Sequence, residues 1–389
     1  MTTPQYILSL FQQHFSKSVK MFFSPGRINL LGEHIDYNDG YVLPAAIDKG
    51  IWFAIYKNNS NRVNIIAADE NEEDIATFIL PTIQKQEGWK NYVAAVLYIL
   101  QKKKYIVEGF DCVFGGNLPQ NIGLGSSAAL ESGLLYAINE LMQLQIPTHE
   151  LALLAKEAEN NFIGVQCGIM DMYTSLLGKE NHCLLLDCIQ NQHEYIPFTS
   201  DEYQWVIIDS GVKKDDNSKW NERRNEAFEG LSFFTTINKK IKSYRYISHA
   251  IVEEFGYLLP QEIYKRASYI TQEIERVKEG ANYLQQNDCI AFGKLMYKSH
   301  TQLSELYEAS CNEVDFLVAE AKMQFDVVGA KMMGGGFGGC TINLIHKENI
   351  TSVVEQIKNA YTNVYSIEPT VHFVSLTDGA REVNPSDFY

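Results

Sequence analysis

A chain of 389 residues, 46% apolar and 21% charged, is too long for one ordinary core and calls for a globular protein of two domains. Its formal net charge of −15 repels nucleic acid and anionic membrane, so no partner of either kind is expected. The seven cysteines are scattered, odd in number and free of any C-x-x-C pair, which implies reduced thiols and a cytoplasmic protein.

Met1–Ser18 reads as a short amphipathic helix without the basic start or cleavage site of a secretory signal. No later run approaches the ~18 apolar residues of a membrane span. Phe22-Phe23-Ser24-Pro25 reads as a strand-like lead-in that the proline ends. The following Gly26–Asn38 packs an arginine, carboxylates, a histidine and asparagines together, poor material for a strand or a packed helix. By itself it is either a solvated loop or a set of hydrogen-bonding groups for something small and hydroxylated. Ile51–Tyr56, Val63–Ala67 and Phe110–Phe114 are short runs rich in β-branched and aromatic residues and read as strands, with a helix over Trp89–Leu100 between them.

After Phe114 comes Gly115-Gly116-Asn117-Leu118-Pro119-Gln120-Asn121-Ile122-Gly123-Leu124-Gly125-Ser126-Ser127, then a helical pattern through Leu130, Leu134, Ile138 and Leu141. A strand, a glycine-rich turn, two serines and a helix can point backbone N–H groups and a helix dipole at an anion. The loop is neither a Walker A sequence nor a dinucleotide-binding fingerprint. It could equally be a glycine-serine turn before a capped helix. A further helix starts at Thr148 and runs to about Asn160.

Gln190-Asn191-Gln192-His193-Glu194 interrupts the apolar pattern and suggests domains of 1–195 and 196–389. Beyond it lie a strand at Trp205–Asp209, a long helix at Glu262–Tyr283, a strand at Cys340–Ile345, a helix at Thr351–Tyr361 and a strand at His372–Leu376. Strands and helices alternate without a βαβ rhythm, which predicts α+β. Met333-Gly334-Gly335-Gly336-Phe337-Gly338-Gly339-Cys340 carries enough glycine to imply unusual φ values or close backbone packing, as a tight turn or against a ligand.

Gly26–Asn38, Pro119–Ala129 and Gly334–Gly339, in that order, resemble the GHMP small-molecule kinases. Within that group, Gly26–Asn38, Gly40–Pro44, Gly88–Val93, Cys167–Asp171, Asp209–Lys213 and Trp220–Arg224 are similar to the galactokinase family. The resemblance implies a two-domain α+β fold with the active site in the interdomain cleft. It implies transfer of the ATP γ-phosphoryl group to the anomeric hydroxyl of galactose, with Mg²⁺, by a protein expected to be a monomer. Asp171 would accept or orient the proton of the sugar hydroxyl, and Arg27 would hold Asp171 ionised and stabilise charge on the phosphoryl group. Glu33, His34, Asp36, Gly168 and Trp220 would contact the sugar. Gly123, Leu124, Gly125, Ser126 and Ser127 would hold the phosphates, Ser127 and Glu159 the metal, and Trp89, Tyr92 and Leu130 the adenine. The chain departs from the family pattern at Ile35, Met172, Trp220 and Met333, where threonine, glutamine, tyrosine and threonine are usual. N-acetylgalactosamine, arabinose or a uronic acid are the alternative sugars, and a catalytically silent sugar- and ATP-sensing regulator is the alternative class.

Overall fold

The computed structural model describes residues 2–15, 18–70, 74–213 and 218–388. A six-stranded sheet runs in the order Arg381–Val383, Lys20–Asn29, Pro44–Lys57, Phe110–Gly116, Arg62–Ala67, Ala76–Ile79. Its pairings are antiparallel except for Arg62–Ala67 with Phe110–Gly116, which the crossover through helix Trp89–Lys102 makes parallel. A four-stranded antiparallel sheet follows, ordered Val327–Met333, Cys340–His346, Tyr203–Asp209, Thr370–Val374. Tyr41–Val42, His182–Asp187 and Gln192–Pro197 form a third, small sheet. Largely antiparallel sheets with packed helices are the α+β architecture expected.

The first sheet is covered on both faces. Helix Pro4–Phe15 sets Ile7, Leu8, Leu10 and Phe11 against Ala54, Ile66 and Val113 on one face. The predicted helix ends at Met1, Ser16 and Lys17 lie outside the described residues. Helix Ser126–Met142 packs against Lys20–Asn29 and Pro44–Lys57 on the other. This sandwich corrects one expectation. Lys20–Asn29 continues as a strand through Pro25 to Asn29, with a register shift between Pro25 and Arg27. Every residue after Lys20 is buried, so the start of the polar run is a strand rather than a loop. A bulge tolerates the proline, and Arg27 and Asn29 are accommodated because both side chains find carboxylates.

In the second sheet, helices Cys289–Glu305 and Asn312–Met323 lie against Val327–Met333, and Asn312–Met323 also meets helix Ile350–Tyr365. Residue 195 falls inside strand Gln192–Pro197, which is paired with His182–Asp187, so this hairpin straddles the expected domain boundary. The main apolar core contains residues from both halves, Leu31 and Phe292 among them. Helix Ser218–Ile237 escaped the periodicity reading because only Ala227, Gly230 and Phe234 of its 20 residues are buried.

Candidate active site

A cavity of about 1000 Å³ opens between the strand end at Arg27, the loop 120–127, the helix start at Met170 and the glycine turn 334–337. Arg27 lines it from the strand end. Its guanidinium grips Asp171 in two hydrogen bonds, Nε to Oδ1 at 2.8 Å and Nη2 to Oδ2 at 2.7 Å, and also donates to the carbonyl of Gly123. The planar fork of arginine suits such a bidentate grip. Asp171 lies in the first turn of helix Met170–Leu177, 144 residues along the chain from Arg27.

The phosphate loop is shaped by backbone. Gly123 and Gly125 have φ of 94° and 72°, and Gly125 caps helix Ser126–Met142 from the left-handed region without a side-chain cap. The helix start therefore presents its N–H groups to the cavity, as an anion site requires. The Ser127 hydroxyl donates to Glu159 at 3.4 Å. Glu159 is buried in a π-helical turn, Glu159–Ile163. Burial, reinforced by Asp171 and opposed by the thiol of Cys167, pushes its carboxyl up to about 7. Among the described residues, no lysine or arginine pairs with it. Glu131, one turn beyond Ser127, is also buried, and neither of its oxygens has a partner.

A second cavity of about 280 Å³ shares Ser126 and Ser127 with the first and is walled by Trp89, Tyr92, Phe114 and Leu130. Trp89 stands edge-on to Phe114 with centroids 5.3 Å apart.

On the opposite side, Glu33 accepts from the Asn29 amide at 2.9 Å, the Lys331 ammonium at 2.9 Å and the backbone N–H of Gly334 at 3.0 Å. Burial pushes its carboxyl up, and Lys331, Asn29 and Arg27 outweigh this and hold it below its ordinary value. Asp36 packs so tightly on Gly168 that any Cβ there would overlap its carboxylate. Burial and the Asp171 charge push Asp36 up to about 7.

His34 bridges the halves, with Nδ1 2.6 Å from the Tyr37 hydroxyl and Nε2 3.2 Å from the carbonyl of Gly335. A carbonyl only accepts, so Nε2 carries a proton; in the neutral ring Nδ1 then accepts from Tyr37, whose oxygen lies 3.1 Å from the Tyr307 hydroxyl. Both ring nitrogens are thus committed inside the protein, and His34 builds the cavity wall by holding Tyr37 and Gly335. Trp220 lines the cavity and meets Tyr37 edge-on at 5.0 Å.

The large cavity therefore gathers Arg27, Glu33, His34, Asp36, Gly123–Ser127, Glu159, Gly168, Asp171 and Trp220, and the small one Trp89, Tyr92 and Leu130. Met172 also lines the large cavity, whereas Ile35 is a fully buried core residue and takes no part in it. The glycine turn adopts positive φ at Gly334, Gly336, Gly338 and Gly339, as its composition implied. Sequence reasoning missed Lys331, a lone charge in the otherwise apolar strand Val327–Met333, and Tyr37, a member of the polar run itself.

Residues 9–57 match the galactokinase galactose-binding signature, 91–179 the GHMP kinases N terminal domain and 281–363 the GHMP kinases C terminal domain. A galactokinase of Thermotoga neapolitana is 37% identical over 361 residues, 92% of this chain and 99% of that one. A galactokinase of Clostridium beijerinckii is 37% identical over 379 residues, 96% of this chain and 97% of that one. The structure of Lactococcus lactis galactokinase complexed with galactose superposes with a TM-score of 0.95 at 31% identity, covering 98% of this chain and 100% of that one. A Methanococcus jannaschii mevalonate kinase, at 19% identity and a TM-score of 0.66 over 93% of this chain and 99% of its own, shares the fold. With a cleft that sets a gripped aspartate between a glycine-serine loop and a ring of acidic and aromatic side chains, and with relatives matching nearly end to end, the chain belongs to the galactokinase family of GHMP kinases.

Proposed function

We infer that the protein transfers the γ-phosphoryl group of ATP to the anomeric hydroxyl of D-galactose, giving galactose 1-phosphate and ADP. The observation that carries this reading is the Arg27–Asp171 pair, which stands where the phosphate loop and the Glu33–Asp36 segment meet. Phosphoryl transfer asks a protein mainly for positioning and charge compensation. Asp171 accepts the hydrogen bond of the anomeric hydroxyl and orients its lone pair toward the γ-phosphorus. As the new P–O bond forms and the bond to the β-phosphate oxygen breaks, the hydroxyl proton passes to Asp171. Arg27 holds the Asp171 carboxylate in place through its two hydrogen bonds and faces the negative charge gathering on the phosphoryl oxygens. The N–H groups of the loop 123–127 hold the β- and γ-phosphates, and Trp89, Tyr92 and Leu130 enclose the adenine.

Ser127 and Glu159 suit Mg²⁺. A hydroxyl and a buried carboxylate without a cation are the oxygen donors that ion takes, the rest of its shell coming from phosphate and water. Bound there, Mg²⁺ would neutralise phosphate charge. Glu33, Asp36 and the Gly168 backbone form the sugar side, with Trp220 and the His34–Tyr37 pair as its wall. The division into halves 1–195 and 196–389, and a monomeric cytoplasmic enzyme, belong to the same proposal. Among the described residues no helix is long and apolar enough to cross a membrane.

Trp220 and Met172 line the cavity where the family usually has tyrosine and glutamine, which keeps a related sugar as the second reading. ATP turnover measured against galactose, N-acetylgalactosamine, arabinose and galacturonate is expected to be fastest with galactose. A clear preference for another of these sugars would transfer the assignment to it. Tight ATP binding without turnover of any sugar would sink the enzyme.

A further inference from the structure

Glu33 is anchored more thoroughly than a residue that merely lines a cavity needs. Its backbone carbonyl accepts from the Tyr269 hydroxyl at 2.9 Å, and the N–H of the preceding Gly32 donates to Glu273 at 2.8 Å. Glu273 is itself held by Ser299 at 2.8 Å and by Arg276. Main-chain movement at Gly32 and Glu33 is therefore opposed from the second half of the chain.

The carboxylate is restricted further. A carboxylate offers about four acceptor positions, two on each oxygen. On Glu33, Oε1 takes the Lys331 ammonium and the Gly334 N–H, which fills it. Oε2 takes the Asn29 amide, which leaves one acceptor position on the whole group. Lys331 closes the arrangement by donating also to the backbone carbonyl of Asn29 at 3.1 Å. Its side chain is 0% exposed against 2% for Glu33, and it does not line the cavity, so it reaches a ligand only through the groups it holds, chiefly the Glu33 carboxylate.

We propose that Lys331 is a positioning residue for the sugar site: with the Gly334 amide it occupies Oε1 of Glu33, so that Oε2 alone is presented, as an acceptor, to one sugar hydroxyl. This rests on the reading that Glu33 contacts the sugar. A fixed acceptor with a single vacant position tests for a donor at one point in space, and a sugar lacking that hydroxyl leaves the position unpaired. The same ammonium ties the strand end at Asn29 to the strand that leads into the glycine turn at Gly334. The sugar-facing carboxylate and that turn are thereby set by one residue.

The test compares Glu33→Gln, Lys331→Met, Lys331→Arg and the double variant Glu33→Gln/Lys331→Met, using galactose and its 2-, 3-, 4- and 6-deoxy analogues as substrates. In the parent enzyme one deoxy sugar should show a KM raised about tenfold or more over galactose. Glu33→Gln should abolish that discrimination at the same hydroxyl. Lys331→Met should raise the galactose KM about tenfold and erase the same discrimination while the ATP KM stays within about twofold; Lys331→Arg should recover most of the loss. The double variant, in which this pair leaves no buried charge unpaired, should match Glu33→Gln within about threefold, because Lys331 acts on the sugar through the Glu33 carboxylate. Galactose and deoxy-sugar kinetics unchanged by Glu33→Gln would overturn the sugar role of Glu33 and the proposal with it. A strong effect of Glu33→Gln beside a silent Lys331→Met, or beside a double variant far worse than Glu33→Gln, would overturn the role of Lys331 alone. If Lys331→Met fails to fold, the comparison of Glu33→Gln with the double variant decides.

Discussion

The sugar side and the phosphate side of the cleft are built by opposite means. On the sugar side, side chains do the shaping: the pair Glu33–Lys331 is almost wholly buried, and Asn29, Tyr37, His34 and Tyr269 are each tied by hydrogen bonds to another part of the chain. On the phosphate side the main chain does it, through positive φ at Asn121, Gly123 and Gly125 and an open helix start. The difference follows the ligands. A triphosphate is recognised by charge, which any row of N–H groups supplies. Hydroxyls differ only in direction, and telling them apart needs acceptors that cannot move. Arg27–Asp171 stands between these regimes, with the arginine side chain 6% exposed and the aspartate 29%, held on one side and open to reactants on the other.

That division can be broken at three points. The largest effect is expected at the junction. Asp171→Asn leaves the Arg27 charge without its anion and the anomeric hydroxyl without a proton acceptor, so kcat should fall at least ~10³-fold while ATP binding, followed by fluorescence or calorimetry, changes little. Retention of most activity would remove Asp171 from its role. Next, Gly168→Ala places a methyl where the Asp36 carboxylate lies and must displace it. The galactose KM should rise roughly 10- to 100-fold with the ATP KM nearly constant, because only the sugar side is disturbed. Equal changes in both constants would show that the two sides do not act separately.

The smallest expected effect is on stability. Asp36 is pushed up to about 7 in the folded protein, so between about pH 4 and pH 7 the native state binds more protons than the unfolded chain. Its contribution therefore lowers stability as pH rises through that window and levels off above it. Melting temperatures of the parent and Asp36→Asn should diverge in favour of the variant as pH rises from 4 to 7. Parallel curves would mean that Asp36 is already ionised when folded.

Much of this cleft was legible in the residues, and the exceptions have physical causes. Strands such as Phe110–Gly116 and Cys340–His346 announce themselves because apolar β-branched runs have few other uses. The glycine turn's left-handed backbone could be read from composition, since few other residues adopt it cheaply. The strand Lys20–Asn29 was misjudged at its end, because a sequence does not reveal that Arg27 and Asn29 will meet carboxylates. Ile35 stands out in the sequence as a departure from the family's threonine inside the polar run, yet it points into the core behind that run. Lys331 gave the faintest signal, a single charge in a buried strand whose meaning appears only when Glu33, 298 positions away, is beside it.

Arg381–Val383 forms the outer edge of the sheet that carries Arg27, pairing Arg381, Glu382 and Val383 with Phe23, Phe22 and Met21. The guanidinium of Arg381 also covers the Phe23 ring at 4.8 Å. During synthesis, the strand that delivers Arg27 keeps one bare edge until Arg381–Val383 has been made. Closing so long a loop is entropically costly and slow, so completion of the first sheet is a late event in folding. An exposed strand edge invites pairing with another chain. Met21–Phe23 is therefore open to association until Arg381–Val383 pairs with it, and deletion of Arg381–Val383 would leave that edge bare in the folded protein.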